Sequence, residues 1–166
     1  MRNLIFFLLM LLTVGAVRAQ AAAQVMVTNV ADFGLGNWGM TDPAISQYTD
    51  LCIYASGTAP SASYGVTITS DNGAFFLANG SKHITYSLYW EDSGASHLGT
   101  NSPGTLLTYG TKATGRANAN TNSLNQTCTA GLSPTARLTL KITQAAMQAA
   151  LAGTYTDKIY ISISPI

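Results

Sequence analysis

Apolar and polar residues alternate with a period of two in several short stretches of this chain, most clearly in the last one. Isoleucines occupy one face of this stretch and polar side chains the other: Ile159, Ile161 and Ile163 against Tyr160, Ser162 and Ser164. This pattern is typical of a half-buried β-strand. Only Pro165 and Ile166 follow, so the sequence predicts a final strand with no later strand to pair with its open edge.

The same alternation predicts strands elsewhere, separated by turn signals such as Asp71-Asn72-Gly73 and Asn79-Gly80. These further strands are predicted at 24–30, 50–56, 64–69, 74–78, 83–90 and 136–142. Residues 144–152 are rich in helix formers and are followed by Gly153, which predicts one short helix. About seven short strands with intervening turns indicate an all-β sandwich.

The first residues have the features of a secretory signal peptide: a basic start at Arg2, an apolar run over 4–12 and small residues around Ala19. The uncharged run is shorter than the roughly 20 residues that a membrane-spanning helix needs. We therefore predict a signal peptide over 1–19, with cleavage as late as residue 23. One sandwich domain over 20–166 follows, with no membrane span in the mature chain.

Charge is scarce in this chain, at 9% of residues. Without Arg2 and Arg18, six basic residues stand against seven acidic ones, a formal net charge of −1. The basic surface of a nucleic-acid-binding protein is absent from the sequence. A nearly neutral, hydrogen-bonding surface instead suits an extracellular protein that packs against copies or partners.

Two cysteines, Cys52 and Cys128, would reach an oxidising compartment on export. One intramolecular disulfide is the simplest interpretation, and free thiols or a metal-binding pair are the alternatives. A loop of this length corresponds to roughly 4 to 5 kcal/mol in the chain-entropy model.

Residues that could carry chemistry are few. Glu91 is the single glutamate, and neither His83 nor His97 has a metal-ligand neighbour at a useful spacing. The glycines of 34–39 match a dinucleotide-binding pattern, but a turn rather than a helix follows them. No nucleophile motif is present, although a Ser-His-Asp triad assembled by the fold stays open. We predict a non-enzymatic protein without cofactor or metal.

Several short motifs, taken in order, resemble the spore coat protein U domain family, which includes subunits of archaic chaperone–usher pili. The motifs are Phe33-Gly34, Leu51-Cys52-Ile53-Tyr54, Tyr64–Ile68, Ile84–Trp90, Cys128 and Ala152–Asp157. The resemblance implies an incomplete immunoglobulin-like sandwich that lacks its last strand. A periplasmic chaperone would first fill the groove beside the C-terminal strand. After export through an outer-membrane usher, the N-terminal extension of another pilin subunit would replace it.

Site residues follow from the same resemblance. Ile159, Ile161 and Ile163 would line the acceptor groove, and the Ile166 carboxylate would anchor the chaperone. The candidate donor strand has its apolar face at Ala21, Ala23, Val25 and Val27. This segment is short and lacks the cysteine expected before Phe33. It remains open whether it donates a strand or is the subunit's own first strand, which favours a minor or tip-proximal subunit.

The sequence thus predicts a structural subunit of a secreted adhesive pilus that serves surface attachment and biofilm formation. Loops 57–63 and 98–105 are candidates for adhesive contacts. The alternative is a complete β-sandwich that binds a carbohydrate or a surface without polymerising, or a spore or cyst coat protein.

Overall fold

The computed structural model describes residues 23–56, 63–92, 104–129 and 133–166. Strands dominate these residues, and the prediction of an all-β chain with one short helix is confirmed. The strands are β1 (Gln24–Thr28), β2 (Ile45–Ser56), β3 (Tyr64–Ser70), β4 (Phe76–Asn79), β5 (Lys82–Thr85), β6 (Ser87–Glu91), β7 (Thr105–Leu106), β8 (Ala113–Arg116), β9 (Ala136–Ile142) and β10 (Ile159–Pro165), and the helix is α1 (Gln144–Gln148). No helix in this part of the chain is long and apolar enough to cross a membrane.

The strands form two main antiparallel sheets and a small hairpin. The larger sheet has the order β1-β2-β9-β6-β7, the smaller one β10-β3-β8, and β4 pairs with β5. The inward side chains of both sheets meet in one hydrophobic cluster. Across it, the buried Trp90 Nε1–H of β6 donates a hydrogen bond of 3.1 Å to Tyr64 Oη of β3. The molecule is therefore a sandwich, as the alternating pattern predicts.

Strand β9 shows how the alternation builds this core. Its residues Leu138 and Leu140 are buried and lie opposite Trp90 and Leu88 of β6, whereas Arg137 points outward. The Arg137 guanidinium binds the Asp50 carboxylate of β2 in a bidentate pair, with N–O distances of 2.6 and 3.0 Å. Apolar burial on one face and polar pairing on the other hold β9 at the centre of its sheet.

Strand β2 is longer than the sequence predicts, because it begins at Ile45 rather than Asp50. Its first half, Ile45–Leu51, pairs with β9, and its second half, Cys52–Ser56, pairs with β1. Residues 46–48 are polar and exposed, so they carry no apolar alternation. Pairing with β9, which sequence pattern does not reveal, makes this part a strand.

The strand predicted over 83–90 is in fact two strands in different sheets. β5 pairs with β4, whereas β6 pairs with β9 and β7, and the chain changes partners at Tyr86. Ile84, Tyr86 and Leu88 all remain buried through the change. Since the alternation continues without interruption, the sequence could not show where the chain leaves the hairpin.

Helix α1 is also shorter than predicted, ending at Gln148 rather than Ala152. Thr143 caps its first turn, its Oγ1 accepting a hydrogen bond from the Ala146 N–H at 3.2 Å. After the helix the chain turns back until Thr156 lies beside Ala78 of β4. Their backbones exchange two hydrogen bonds of 2.9 and 3.0 Å. Helix propensity in the last residues is thus overridden by the connection to β10.

Cys52 and Cys128 form a disulfide, with their Cα atoms 5.7 Å apart and a separation of 76 positions in sequence. Cys52 is fully buried in β2. The bond holds the segment that follows β8 against β2, where Asn120 also pairs with Tyr54 in a parallel bridge. The disulfide thus covers the outward side of β2's second half.

Removal of this disulfide should lower the free energy of unfolding by about 2 to 5 kcal/mol, because the unfolded chain loses a long closed loop. The change is the double substitution Cys52→Ala and Cys128→Ala, measured by urea denaturation. Wild-type protein unfolded in a reducing agent is the control and should show a similar loss. A loss below about 1 kcal/mol in both samples would contradict this stabilising role.

Candidate functional site

The C-terminal strand β10 is paired along one edge only. Its seven residues align with β3, from Ile159 opposite Ser70 to Pro165 opposite Tyr64. No strand of the described part of the chain pairs with its other edge. Backbone N–H and C=O groups on such an edge form a template for another strand.

The inward face of β10 is apolar but incompletely covered. Ile161 and Ile163 lie opposite the buried Ile68 and Val66 of β3, and with Ile159 they pack against the core. All three are only half-buried, unlike the fully buried Val66 and Ile68 of β3. The core therefore lacks cover along this strand. Ile166 lies beyond the strand and is 53% exposed.

A groove with a volume of about 640 Å³ runs beside β10. Ile159 and Ile161 form one side of it, and buried residues from the sheets and the hairpin, Leu77, Tyr86, Leu138 and Leu140, also line it. Other lining residues come from the segment between β1 and β2, Val30–Gly36, and from the approach to β10, Tyr155–Lys158. The groove thus opens directly onto the hydrophobic core.

The segment Asp32–Gly36 forms the second side of this groove. Phe33 and Leu35 are half-buried against the core, while Asp32, Gly34 and Gly36 between and beside them are exposed. This alternation is that of an extended chain. No described residue forms a backbone–backbone hydrogen bond with 32–36. The groove is consequently bordered by unpaired backbone on two sides.

Polar contacts fix the start of β10. The buried Tyr86 donates a hydrogen bond of 2.5 Å from Oη to Asp157 Oδ2, and Asp157 Oδ1 accepts one from the Lys158 N–H at 2.8 Å. Tyr160 Oη donates to Asp71 Oδ1 at 2.7 Å. Burial, followed by the hydrogen bond to the Asp157 carboxylate, raises the pKa of Tyr86 well above its usual range. Tyr86 and Asp157 therefore act as a fixed anchor at this end of the groove.

The candidate donor residues lie partly in the fold. Val25 and Val27 belong to β1, opposite Ala55 and Ile53 of β2, and are half-buried against the core. Ala23 is exposed just before β1. Ala21 and the predicted signal peptide fall outside the described residues, as do 57–62 and 98–103 of the candidate loops.

Of the four residues that the sequence analysis assigned to the acceptor groove, Ile159 and Ile161 line this groove and Ile163 and Ile166 do not, whereas Phe33 and Leu35 on its other side were not predicted. Phe33 and Leu35 alternate with glycines, a signal that could have marked 32–36 as an extended segment. The glycines of this region open no helix, and Met40–Asp42 form the predicted turn. Among the described residues, no three His, Cys, Asp or Glu side chains group in a way that could hold a metal ion.

No protein-family model and no curated protein matches the chain. Among solved structures, a similar chain belongs to a chaperone–tip adhesin complex of CFA/I fimbriae biogenesis. The TM-score is 0.55 at 21% identity, and the match covers 89% of this chain and 42% of the other. This chain thus spans about two-fifths of the length of the matched one. The likeness shows that the two share a fold.

Alkaline pH should destabilise the protein through its buried tyrosines. Burial raises the pKa of both Tyr64 and Tyr86 in the folded protein. In the unfolded chain, a tyrosine has a pKa of about 10. Above that pH the unfolded state releases protons that the folded state retains. The stabilisation is therefore fully present below pH ~10 and is lost as the pH rises further.

Urea denaturation between about pH 7 and 11.5 tests this dependence. Tyr86→Phe should lower the free energy of unfolding at neutral pH by about 1.5 to 3 kcal/mol, since it removes a hydrogen bond to a carboxylate. It should also reduce the slope of stability against pH above about 10. A slope equal to that of the wild type would contradict the contribution of Tyr86.

Proposed function

We propose that this chain is a structural subunit of a secreted adhesive pilus, and that its groove beside β10 accepts a β-strand from a partner. The observation that carries the proposal is the open edge of β10, with a half-buried apolar face beneath it. The fold shared with a chain of a fimbrial chaperone–tip adhesin complex supports it.

The physical basis is strand addition. An inserted strand forms backbone hydrogen bonds with β10, and its alternate side chains cover the exposed parts of the core. In this proposal Ile159, Ile161 and Ile163 line the acceptor groove, and the carboxylate of the exposed Ile166 anchors the chaperone. The chaperone occupies the groove in the periplasm. Another pilin subunit replaces it at the outer-membrane usher.

Edge lengths indicate why β10 in particular needs a chaperone. The other edge strands of the two main sheets in the described structure are shorter: five residues in β1, four in β8 and two in β7. β8 is also irregular, since its pairing with β3 shifts register between Tyr64 and Val66. Short or irregular edges resist unwanted pairing, whereas a seven-residue apolar edge invites aggregation.

The candidate donor segment overlaps strand β1. Donation from Ala21, Ala23, Val25 and Val27 would require β1 to leave its pairing with β2. Pilus assembly would place the protein on the cell surface, where it would serve attachment and biofilm formation. A complete sandwich that binds a carbohydrate or a surface is the alternative function.

Periplasmic expression with and without a pilus chaperone from the same organism distinguishes these functions. With the chaperone, we expect a soluble one-to-one complex, because its strand covers the open edge of β10. Without it, we expect aggregation or proteolysis. Recovery of a stable, soluble monomer in the absence of the chaperone would instead support the complete binding module.

A charge placed in the groove should abolish recovery of the chaperone complex. Ile161→Asp puts a carboxylate on the inward face of β10, where an inserted strand would bury it at high cost. Ser162→Asp is the matched control, since Ser162 is exposed on the outward face. Co-purification should be lost for Ile161→Asp and retained for Ser162→Asp. Equal recovery of the two variants would count against the groove.

A further inference from the structure

We infer that the chain's own β1 closes half of the acceptor groove, so that the open half fits a short donor strand. That donor is an extended peptide with two bulky apolar side chains at positions i and i+2 and no acidic residues. The inference rests on the proposed function and specifies the partner of the same groove.

The position of β1 divides the groove. β1 pairs only with Cys52–Ser56, the second half of β2, and approaches β10 to within 8 Å between Cα atoms. Its Val25 and Val27 pack against the same core as the isoleucines of β10. The second half of β2 thus already has a neighbour on the open side of the sandwich.

The open half lies beyond the end of β1. This open half is lined by Ile159 and Ile161 of β10 and by Thr49 in the first half of β2, whereas Ile163, the third isoleucine of the proposed acceptor groove, lies outside it. At Asn29, with a φ of 62°, the backbone takes a left-handed conformation directly after β1. From there the chain continues as the unpaired side of the groove, with the Ala31 N–H donating to Thr49 Oγ1 at 3.3 Å.

The unpaired backbones of β10 and Asp32–Gly36 select the occupant. Both can be satisfied together by an extended polypeptide placed between them, since it carries N–H and C=O groups on both edges. Ile159 and Ile161 are two positions apart, and strand side chains alternate between faces. Two donor side chains at i and i+2 therefore match the two half-buried isoleucines.

The charged residues of the groove restrict the sequence of the donor strand further. Asp32, Asp157 and Lys158 are the charged residues that line the groove, a formal net charge of −1. An acidic donor would be repelled there. A donor with polar neutral or basic residues between its apolar ones fits this lining.

The test is transfer of the full chain from its chaperone complex to synthetic peptides, followed by native mass spectrometry. A short peptide has two leucines at i and i+2 within a threonine background, and a long peptide has four leucines at alternate positions. A third peptide is the short one with glutamates at two of its threonines. Ile161→Ala and Ile163→Ala are the matched variants, because both shorten an inward isoleucine of β10.

We expect the short peptide to capture the wild type, and Ile163→Ala should weaken that capture less than Ile161→Ala does. Capture of Ile161→Ala should fall by about tenfold, since about two methylene groups of contact are lost. The glutamate peptide should capture several-fold less than the short one. Hydrogen exchange should show that the amides of Gln24–Thr28 stay protected when the short peptide is bound.

Two results would overturn the inference in distinguishable ways. Capture by the long peptide alone, with Ile163→Ala as impaired as Ile161→Ala or with β1 losing protection, would show a full-length groove. The proposed function would then stand. If no chaperone complex forms and neither peptide binds, the proposed function fails together with the inference.

Discussion

Strand β10 is held to the molecule along a single edge, and the open side of the sandwich follows from that constraint. Within the described parts of the chain its seven residues pair with β3 alone, so one row of backbone groups and one apolar face have no neighbouring strand. Ile159, Ile161 and Ile163 reach the core but are not covered by it. The groove lies beside this open edge, and the unpaired segment Asp32–Gly36 borders the groove on its other side. In the proposed function, a strand added from a partner would stabilise this partial core.

Strand β2 decides how far this open side extends. In the second half of β2, β1 pairs with one edge and Asn120 bridges the other edge at Tyr54, whereas the first half pairs with β9 alone among the described residues. The end of β1 at Thr28 therefore sets the point at which cover is lost. The disulfide at Cys52 and the backbone bridge from Asn120 tie this half to the segment that follows β8. One half of the sandwich is thus closed by covalent and backbone bonds, and the other is not.

Alternation of apolar residues was sufficient to predict β3, β9 and β10, since each buries one face in a single sheet. It failed at the first half of β2, whose polar residues become a strand only through pairing with β9. It also failed at Tyr86, where the chain changes partners without a change of period. The second side of the groove was missed because Phe33 and Leu35 are brought to the same groove as Ile159 and Ile161 only in the folded chain. Such contacts between distant segments are not visible in a local pattern.

The disulfide has a mechanical consequence. If the chain were pulled from its two ends, the segment between Cys52 and Cys128 could not lengthen, since the covalent bond bypasses it. The disulfide carries the tension instead of this span of 76 residues, which would measure roughly 250 Å if fully extended. Strands β3 to β8 lie inside this shielded span, whereas β10 lies outside it. Under load, the strand with the open edge would be free to peel away while its neighbour β3 stays within the shielded loop.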